Sequence, residues 1–330
     1  MSATTALPSY LEPLGHGVYA VDTAFQRDHF DAAYLIVDDG RAAFIDTGTR
    51  FAVPRLLGAL EALGVSRDAV DWVIPTHVHL DHAGGVGALM AELPAATMLV
   101  HPRGLRHMVD PRVLWAGASA VYGDEEMRRS YGEVVGVPES RAQASADEQR
   151  IALGRRTLRL IDTPGHARHH HCIWDETSGG WFTGDTFGLS YREFDDPERG
   201  AWIVPTSTPV QFEPEPLRAS IRRMMATQPS RMYVTHYSRI GRNAADVERL
   251  AALLLSQIDE MEAIGLRLKD APDRHEALKR ELLALYQRRV AEHLGDRMSP
   301  TRVAELLALD VELNAQGLGV WLDRLGKAGG

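Results

Sequence analysis

Short apolar runs separated by turn residues fill the first part of the chain and predict a series of β-strands. Two of these runs are separated at 38–40 by Asp-Asp-Gly, a hairpin turn signal. Apolar residues at helical spacing follow at 53–63, with Pro54 near the start, and again at 84–93. Because strands and helices alternate in this way, the chain is predicted to form a layered α/β fold. The strands are predicted over 17–21, 33–37, 42–45, 71–75 and 97–101.

Residues 102–150 interrupt this alternation. They contain prolines, glycines and scattered aromatic residues, with helical spacing near 125–131. We interpret them as an insertion lying over a functional site, and an ordinary surface excursion is an equally good alternative. A long loop is predicted over 186–216, followed by a helix at 217–226. Between and after these segments, strands are predicted at 157–161, 171–174, 180–183 and 231–235.

After residue 243 the pattern changes to long helices, predicted over 246–268, 275–294 and 300–325. We therefore divide the chain into an α/β domain at 1–243 and a helical segment at 244–330. The first of these helices has an apolar face, which either packs on its own domain or forms a homodimer. The members of this face are Leu250, Leu253, Leu254, Ile258 and Met261.

Composition places the 330-residue chain among ordinary globular proteins, with 45% hydrophobic and 25% charged residues. The single cysteine, Cys172, excludes an intrachain disulfide and a thiolate metal cluster. Residues 1–10 lack the basic and apolar regions of a secretory signal, and no apolar run approaches the roughly 18 residues of a membrane span. The net charge of −9 disfavours a nucleic-acid partner. We therefore expect a cytoplasmic protein that acts on a small molecule, without a membrane.

The densest group of potential metal ligands lies at 77–82, directly after the strand predicted at 71–75. It places His77, His79, Asp81 and His82 within six positions. Imidazole and carboxylate groups bind zinc, iron and similar ions. Packing alone does not explain four such side chains on one strand-to-helix turn, because buried polar groups need partners. The run therefore predicts a metal site.

Three further potential ligands each follow a predicted strand: His166, Asp185 and His236. Asp46 likewise ends the strand predicted at 42–45. In α/β folds, sites collect in the crevice outside strand ends, because several backbones converge there. A lone histidine in such a place is more often structural, but the joint pattern favours one common site.

This ordered set of residues resembles the metallo-β-lactamase superfamily over about residues 15–240. The resemblance implies an αββα sandwich, in which two mixed sheets pack face to face with helices outside. It also implies two divalent metal ions, with zinc expected first and iron or manganese as alternatives. One ion would be held by His77, His79 and His166, and the other by Asp81, His82 and His236, with Asp185 bridging both.

Such a centre lowers the pKa of a bridging water toward ~7 and supplies hydroxide at neutral pH. The resemblance therefore implies a hydrolase that acts on a small ester, thioester or lactone, in which Asp81 orients the bridging water. An iron-dependent oxidoreductase on the same ligands is the first alternative, because these side chains suit iron equally well. A phosphodiesterase or nuclease is the second. The glyoxalase II-like and lactonase-like branches both remain open.

Four residues outside the ligand set complete the predicted site. Asp46 matches the superfamily's Asp-Thr-Gly carboxylate, which supports the metal ligands from behind, and His170 occupies a second supporting position. Tyr191 and Tyr237 are candidates for the substrate pocket, where either hydroxyl could donate to an oxyanion. Loop packing is an equally good interpretation of both tyrosines. A cysteine-type zinc β-lactamase is disfavoured, because Asp185 stands where those enzymes have cysteine.

Overall fold

The first sheet of the molecule has seven strands, which lie side by side in sequence order. The structure is a computed structural model, and it describes residues 6–328. The first four strands are antiparallel neighbours, whereas the last three pair in parallel. The strands are β1 (Leu11–Gly15), β2 (Val18–Asp22), β3 (Ala32–Asp38), β4 (Arg41–Ile45), β5 (Val70–Ile74), β6 (Thr97–Val100) and β7 (Ala142–Ala144).

The turn between β3 and β4 is the hairpin predicted from Asp-Asp-Gly. Asp38 pairs with Arg41, so only Asp39 and Gly40 form the loop. Their φ angles are 48° and 77°, the left-handed pair that a two-residue hairpin requires. The turn prediction is confirmed, and this turn fixes which side chains of β3 and β4 face each sheet surface.

The second sheet has six strands in the order β13-β12-β11-β10-β9-β8. Neighbouring strands from β8 to β11 are antiparallel. The strands are β8 (Arg150–Leu153), β9 (Arg156–Asp162), β10 (His171–Asp175), β11 (Gly180–Gly184), β12 (Arg231–Val234) and β13 (Ser238–Ile240).

A buried core joins the inner faces of the two sheets. Its aromatic centre is formed by Tyr34 of β3, Phe182 of β11 and Tyr233 of β12, with ring centroids 4.5–5.6 Å apart. The Tyr34 hydroxyl donates to the Val234 carbonyl, which satisfies a polar group inside this core. The opposite face of the first sheet packs on helices α1 (Val53–Ala62) and α3 (Val86–Glu92). The predicted αββα fold class is confirmed.

The segment at 102–150 is more helical than the sequence predicts. One helix is expected near 125–131, whereas three are present: α4 (Pro102–Val109), α5 (Arg112–Tyr122) and α6 (Asp124–Tyr131). Pro102 occupies the first turn of α4, and Pro111 caps α5. Proline is tolerated at those positions because the first helical N–H groups have no intrahelical partner. The helix expected near 125–131 is thus present as α6, and prolines start the two helices that were not predicted. A further short helix, α2 (Leu80–Ala83), lies in the histidine run.

Contacts between Cα atoms divide the chain into two units. The first comprises residues up to 162, with 169–184 and 233–239. The second comprises 163–168, 185–232 and residues from 240 onward. The boundary at 243 therefore stays a prediction.

The second unit contains the predicted C-terminal helices, in which α9 and α11 both pack on α8. No helix within 6–328 is long and apolar enough to cross a membrane. The helices of this unit are α7 (Pro214–Met225), α8 (Ala244–Leu268), α9 (Arg274–Leu294), α10 (Pro300–Leu306) and α11 (Ala308–Ala328).

Candidate metal centre

The histidine run follows directly from the end of β5. Thr76 is anchored by its carbonyl, which accepts a hydrogen bond from the His171 N–H at 2.9 Å. The chain bends at Thr76 and His77 and then reaches His79, which has extended backbone and is the N-cap of α2. His77 therefore lies at a bend and His79 on extended backbone, whereas Asp81 and His82 lie in the first helical turn. Three types of local structure thus bring four potential ligands onto one short segment.

Asp46 connects three chain segments behind this run. Its Oδ1 accepts hydrogen bonds from the Thr76 N–H at 2.7 Å and from the Thr76 hydroxyl at 3.0 Å. Its Oδ2 accepts from the Thr235 hydroxyl at 2.9 Å and lies 2.9 Å from His82 Nδ1. Asp46 is buried and has a left-handed φ of 56°. One carboxylate thus orients the histidine run, the His82 ring and the residue before His236.

Asp81, His82 and His236 bring their ligand atoms within 4.8 Å of one another. Asp81 Oδ2 lies 3.7 Å from His82 Nε2 and 3.5 Å from His236 Nε2. His236 Nδ1 is 2.9 Å from the Phe30 carbonyl, as His82 Nδ1 is from Asp46. With its proton on Nδ1, each ring donates to that oxygen and directs the Nε2 lone pair toward Asp81. The two buried imidazoles and the half-buried carboxylate are therefore arranged as a cation site.

His77 and His79 form a second close pair in the first unit. Their Nε2 and Nδ1 atoms are 2.7 Å apart, and the His77 ring is buried. The His77 ring also lies 4.0 Å from the His82 ring, centroid to centroid. A shared divalent ion would accept the lone pairs of both nitrogens. This pair therefore fits a second cation site beside the first.

The His169-His170-His171 segment leads into β10, which begins where the sequence predicts a strand. The strand β10 begins at His171, so the two preceding histidines lie in the turn before it. His170 is fully buried, and its ring stacks on His77 at 4.8 Å. His171 is held between the Ser145 hydroxyl and the Pro75 carbonyl, both at 2.9 Å. Burial lowers the pKa of His171 to about 3, so this ring stays neutral and structural.

Gly184 lies against the same histidines, at the end of β11. Its φ of 47° is left-handed, and a Cβ there would lie 2.5 Å from Thr76 Oγ1 and 2.6 Å from His170 Nε2. Any larger residue would displace both side chains. The glycine before Asp185 therefore allows β11 to end close to the histidine run.

In the second unit, His166 and Asp185 form a buried pair. His166 Nε2 lies 3.3 Å from Asp185 Oδ2. His166 Nδ1 is 3.3 Å from the Thr206 carbonyl, and the Thr208 hydroxyl donates to the His166 carbonyl at 3.1 Å. The loop at 206–208 thus holds this histidine by its ring and by its backbone. Sequence reasoning predicted the pair but not the loop that orients it.

Helix α11 holds that loop from behind. The Asn314 side chain accepts from the Ser207 N–H at 2.7 Å and donates to the Pro205 carbonyl at 2.9 Å. It also donates to the buried Tyr286 hydroxyl at 2.8 Å. Gly317 approaches the loop so closely that a Cβ would lie 2.2 Å from Ser207 Oγ. The C-terminal helices therefore support the segment that orients His166.

Replacing Asn314 by alanine should loosen the loop and weaken metal binding about tenfold, as changes behind a ligand do. The Ser207 N–H would lose its acceptor, which should cost ~1–3 kcal/mol of unfolding free energy. Chelator competition measures the first effect and urea denaturation the second. Glu312→Gln is the matched control, because Glu312 is on the same helix and pairs with Lys279. A destabilised Asn314→Ala variant with unchanged metal affinity would show that the loop does not position His166.

Sequence reasoning missed Asp31, which lies fully buried beside the histidines. Its Oδ2 accepts a hydrogen bond from the Thr23 hydroxyl at 2.9 Å. Burial raises the pKa of Asp31 to about 7, although the nearby His236 and His82 oppose this shift. The available signal in the sequence was an acid directly before the apolar run of β3. A carboxylate next to a buried strand needs a partner or a function if it is buried as well.

The two candidate substrate tyrosines lie in different surroundings. Tyr191 is buried in the second unit, where its hydroxyl donates to Asp310 of α11 at 3.1 Å. Tyr237 packs in the core between the sheets, with its ring 4.9 Å from His29. Their role toward a substrate stays a prediction, and both environments also fit the packing interpretation.

The comparisons with known proteins identify the family of this chain. A family model described as the metallo-beta-lactamase superfamily matches residues 28–236. The chain belongs to this superfamily. The matched range begins just before Phe30, whose carbonyl contacts His236, and it ends at His236 itself. All seven predicted ligands therefore lie within the matched range.

Among curated superfamily relatives, a metallo-beta-lactamase fold-containing protein of Sulfurisphaera tokodaii is 26% identical over 178 residues. The alignment covers 51% of this chain and 61% of that protein. An atrochrysone carboxyl ACP thioesterase of Aspergillus fumigatus is 27% identical over 179 residues, covering 54% of this chain and 42% of the relative. The chain thus spans about half the length of the curated relatives it matches.

Solved structures of the superfamily share the fold over most of the chain. An archaeal protein from Sulfolobus tokodaii has a TM-score of 0.62 at 19% identity and covers 92% of this chain and 98% of its own. A protein from Thermus thermophilus has a TM-score of 0.62 at 23% identity and covers 90% and 95%. Because this coverage extends well past residue 236, the shared fold includes most of the C-terminal helical segment.

Proposed function

We propose that this protein is a metal-dependent hydrolase with a dinuclear centre, acting on a small thioester, ester or lactone. The observation that carries the proposal is the buried carboxylate of Asp46, which orients Thr76, His82 and Thr235 at once. Such an arrangement fixes ligand side chains before an ion binds, and pre-organised ligands are typical of catalytic metal sites.

The donor set fits divalent ions. We assign one ion to Asp81, His82 and His236, whose ligand atoms already lie within 4.8 Å of one another. Following the order of ligands in the superfamily, we assign the other to His77, His79 and His166, with Asp185 bridging. Imidazole and carboxylate together suit zinc, iron and manganese, and zinc is the ion we expect. When bound, such ions supply a hydroxide nucleophile at neutral pH and polarise the attacked group.

Asp81 is the ligand placed to orient the nucleophile. Its side chain is 24% exposed, whereas those of His82 and His236 are almost fully buried. Its Oδ2 faces both imidazoles, so its other oxygen can accept a hydrogen bond from an attacking water. General-base assistance of this kind contributes about 10²–10⁴-fold. We therefore propose Asp81 as both a ligand and the catalytic carboxylate.

Relatives of this chain support a thioester as the first substrate to test. The Aspergillus fumigatus relative is named a thioesterase, and so is a protein of Emericella nidulans that is 27% identical over 167 residues. That alignment covers 50% of this chain and 38% of the relative. We propose thioester hydrolysis for this chain, in which a water oxygen would add to the carbonyl carbon, the carbon–sulfur bond would break and the thiol would be released. Esters and lactones react by the same addition.

Metal analysis of protein expressed in unsupplemented medium is the decisive test. We expect two zinc ions per chain and hydrolysis of at least one compound in a panel of thioesters, esters and lactones. The panel includes a phosphodiester, so that the nuclease alternative is tested as well. Predominant iron, with oxygen consumption and no hydrolysis, would overturn the proposal in favour of an oxidoreductase.

Replacing His170 by alanine should retain both metal ions but lower the hydrolysis rate by ~10–100-fold. The ring stacks on His77 and lies beside Gly184, so its loss leaves space for both to shift. His275→Ala is the control, because that histidine is exposed on α9 and pairs with Glu312. An unchanged rate for His170→Ala would reduce this residue to a packing role.

A further inference from the structure

A cavity of about 690 Å³ opens in the first unit, between the segment after β4 and the helices of the insertion. Its apolar walls are formed by Phe51, Pro111, Trp115 and Val134. The volume lies within the range of about 300–1,000 Å³ that is typical of small-molecule sites. Phe51 is 57% exposed, which is unusual for a phenylalanine. This cavity therefore offers apolar surface to a ligand.

Three arginines line the same cavity, against a single acid, Glu133. Arg112 is paired with Asp110 through two hydrogen bonds. Over residues 6–328, by contrast, the structure gives the guanidinium groups of Arg50 and Arg128 no hydrogen bond and no ion pair. An acidic chain with net charge −9 thus places two uncommitted arginines at one apolar cavity. Guanidinium groups of this kind bind carboxylate and phosphate through paired hydrogen bonds.

The cavity is connected to the metal ligands through the first unit. Gly132 of its wall follows Tyr131, whose ring is 5.5 Å from Phe25. The Phe25 ring is 6.0 Å from Phe30, and the Phe30 ring is 5.3 Å from His236. A series of aromatic contacts therefore runs from Tyr131, the residue next to the cavity wall, to a predicted ligand.

A second connection runs along the chain from the strand end that carries Asp46. Arg50 and Phe51 form a helical turn that starts four residues after Asp46 and is capped by the Thr49 hydroxyl. The aliphatic stem of Arg50 and the ring of Phe51 both lie within 3.4 Å of a Cβ built on Gly132. The insertion thus packs directly on the segment that leaves the site.

We propose that this cavity binds amphipathic anions, in which an apolar chain carries a carboxylate or phosphate group. The chain would lie against Phe51 and Trp115, and Arg50 and Arg128 would bind the anionic group. Binding of the anion itself requires no metal and does not depend on the proposed function. Only the identification of this ligand as part of the substrate rests on the proposed function. It gives the insertion at 102–150 a role in substrate selection.

Isothermal titration calorimetry on metal-free protein, with chelator present, tests the proposal without interference from the metal centre. The probes are octanoate, octyl phosphate, octanol and octyltrimethylammonium. We expect saturable binding of one or both anions, at least tenfold tighter than octanol, because charged hydrogen bonds contribute that much. Comparison of octanoate with octyl phosphate identifies the preferred anionic group. The ammonium probe should bind no better than octanol.

The double variant Arg50→Gln/Arg128→Gln should bind the anions no more tightly than octanol. Arg50→Lys/Arg128→Lys should restore part of the difference, which excludes a folding defect. Arg129→Gln is the matched control, because Arg129 lies on the same helix and is paired with Glu126. Equal binding of anions and octanol, undiminished anion binding by the double glutamine variant, or the absence of saturable binding would each overturn the proposal.

The two proposals fail separately. Asp185→Asn should keep its affinity for the anionic probes even where hydrolysis is lost, because Asp185 does not line the cavity. Retained anion binding by a protein that hydrolyses nothing in the panel would overturn the proposed function alone. A hydrolase whose probe binding is insensitive to Arg50 and Arg128 would overturn the cavity assignment alone.

Discussion

Asparagine in place of Asp185 is expected to release at least one metal ion and to abolish hydrolysis. The amide has nearly the size of the carboxylate, so the buried position beside His166 stays filled. It lacks the negative charge, however, and a neutral amide is a much poorer bridging ligand between two divalent ions than a carboxylate is. Metal content after gel filtration and the rate of thioester hydrolysis measure the two effects.

Asp195→Asn provides the control for this experiment. Asp195 lies further along the same segment of the second unit and pairs with Arg192 at 3.4 Å. Its loss should leave metal content and hydrolysis unchanged. Retention of both ions with full turnover in Asp185→Asn would refute the bridging role of Asp185.

Asp46→Asn is expected to have the second largest effect, because four hydrogen-bond donors converge on this carboxylate. The Thr76 N–H, the hydroxyls of Thr76 and Thr235 and the His82 ring all contact it. An amide directs its own N–H groups at some of these donors, so at least one donor loses its acceptor. We expect metal affinity to fall ~10–100-fold and the unfolding free energy to fall by ~1–3 kcal/mol.

Asparagine is the informative substitution at this position because it tolerates the left-handed backbone of Asp46. Asp175→Asn serves as the control, since Asp175 is equally buried and pairs with Arg156 at 2.9 Å. That variant should lose stability but keep its affinity for metal, measured by chelator competition and urea denaturation. If Asp46→Asn behaved in the same way, Asp46 would be a folding residue without influence on the ligands.

Local sequence patterns determined the elements of this fold and the residues with metal chemistry. The hairpin at 38–40, nine of the thirteen strands described within residues 6–328 and the long C-terminal helices follow from periodicity and turn residues, because these act over a few neighbouring positions. The short strands β1, β7, β8 and β13 were not predicted. The histidine run was recognisable for the same reason, since its spacing concentrates ligands on one short segment. In the insertion, local signals predicted α6 but missed α4 and α5, because prolines that start helices resemble prolines that break them.

Only the tertiary structure decided which distant residues support these ligands. Asp46 meets Thr235 across 189 positions, and Asn314 meets Ser207 across 107. Tertiary packing likewise brings Arg50 and Arg128 to one cavity. Burial in the folded structure raises the pKa of Asp31, which the neighbouring residues in the sequence do not indicate. The physical reason is that such contacts depend on how the elements pack together. Periodicity in the sequence identifies the buried face of each element but not the side chains that this face contacts.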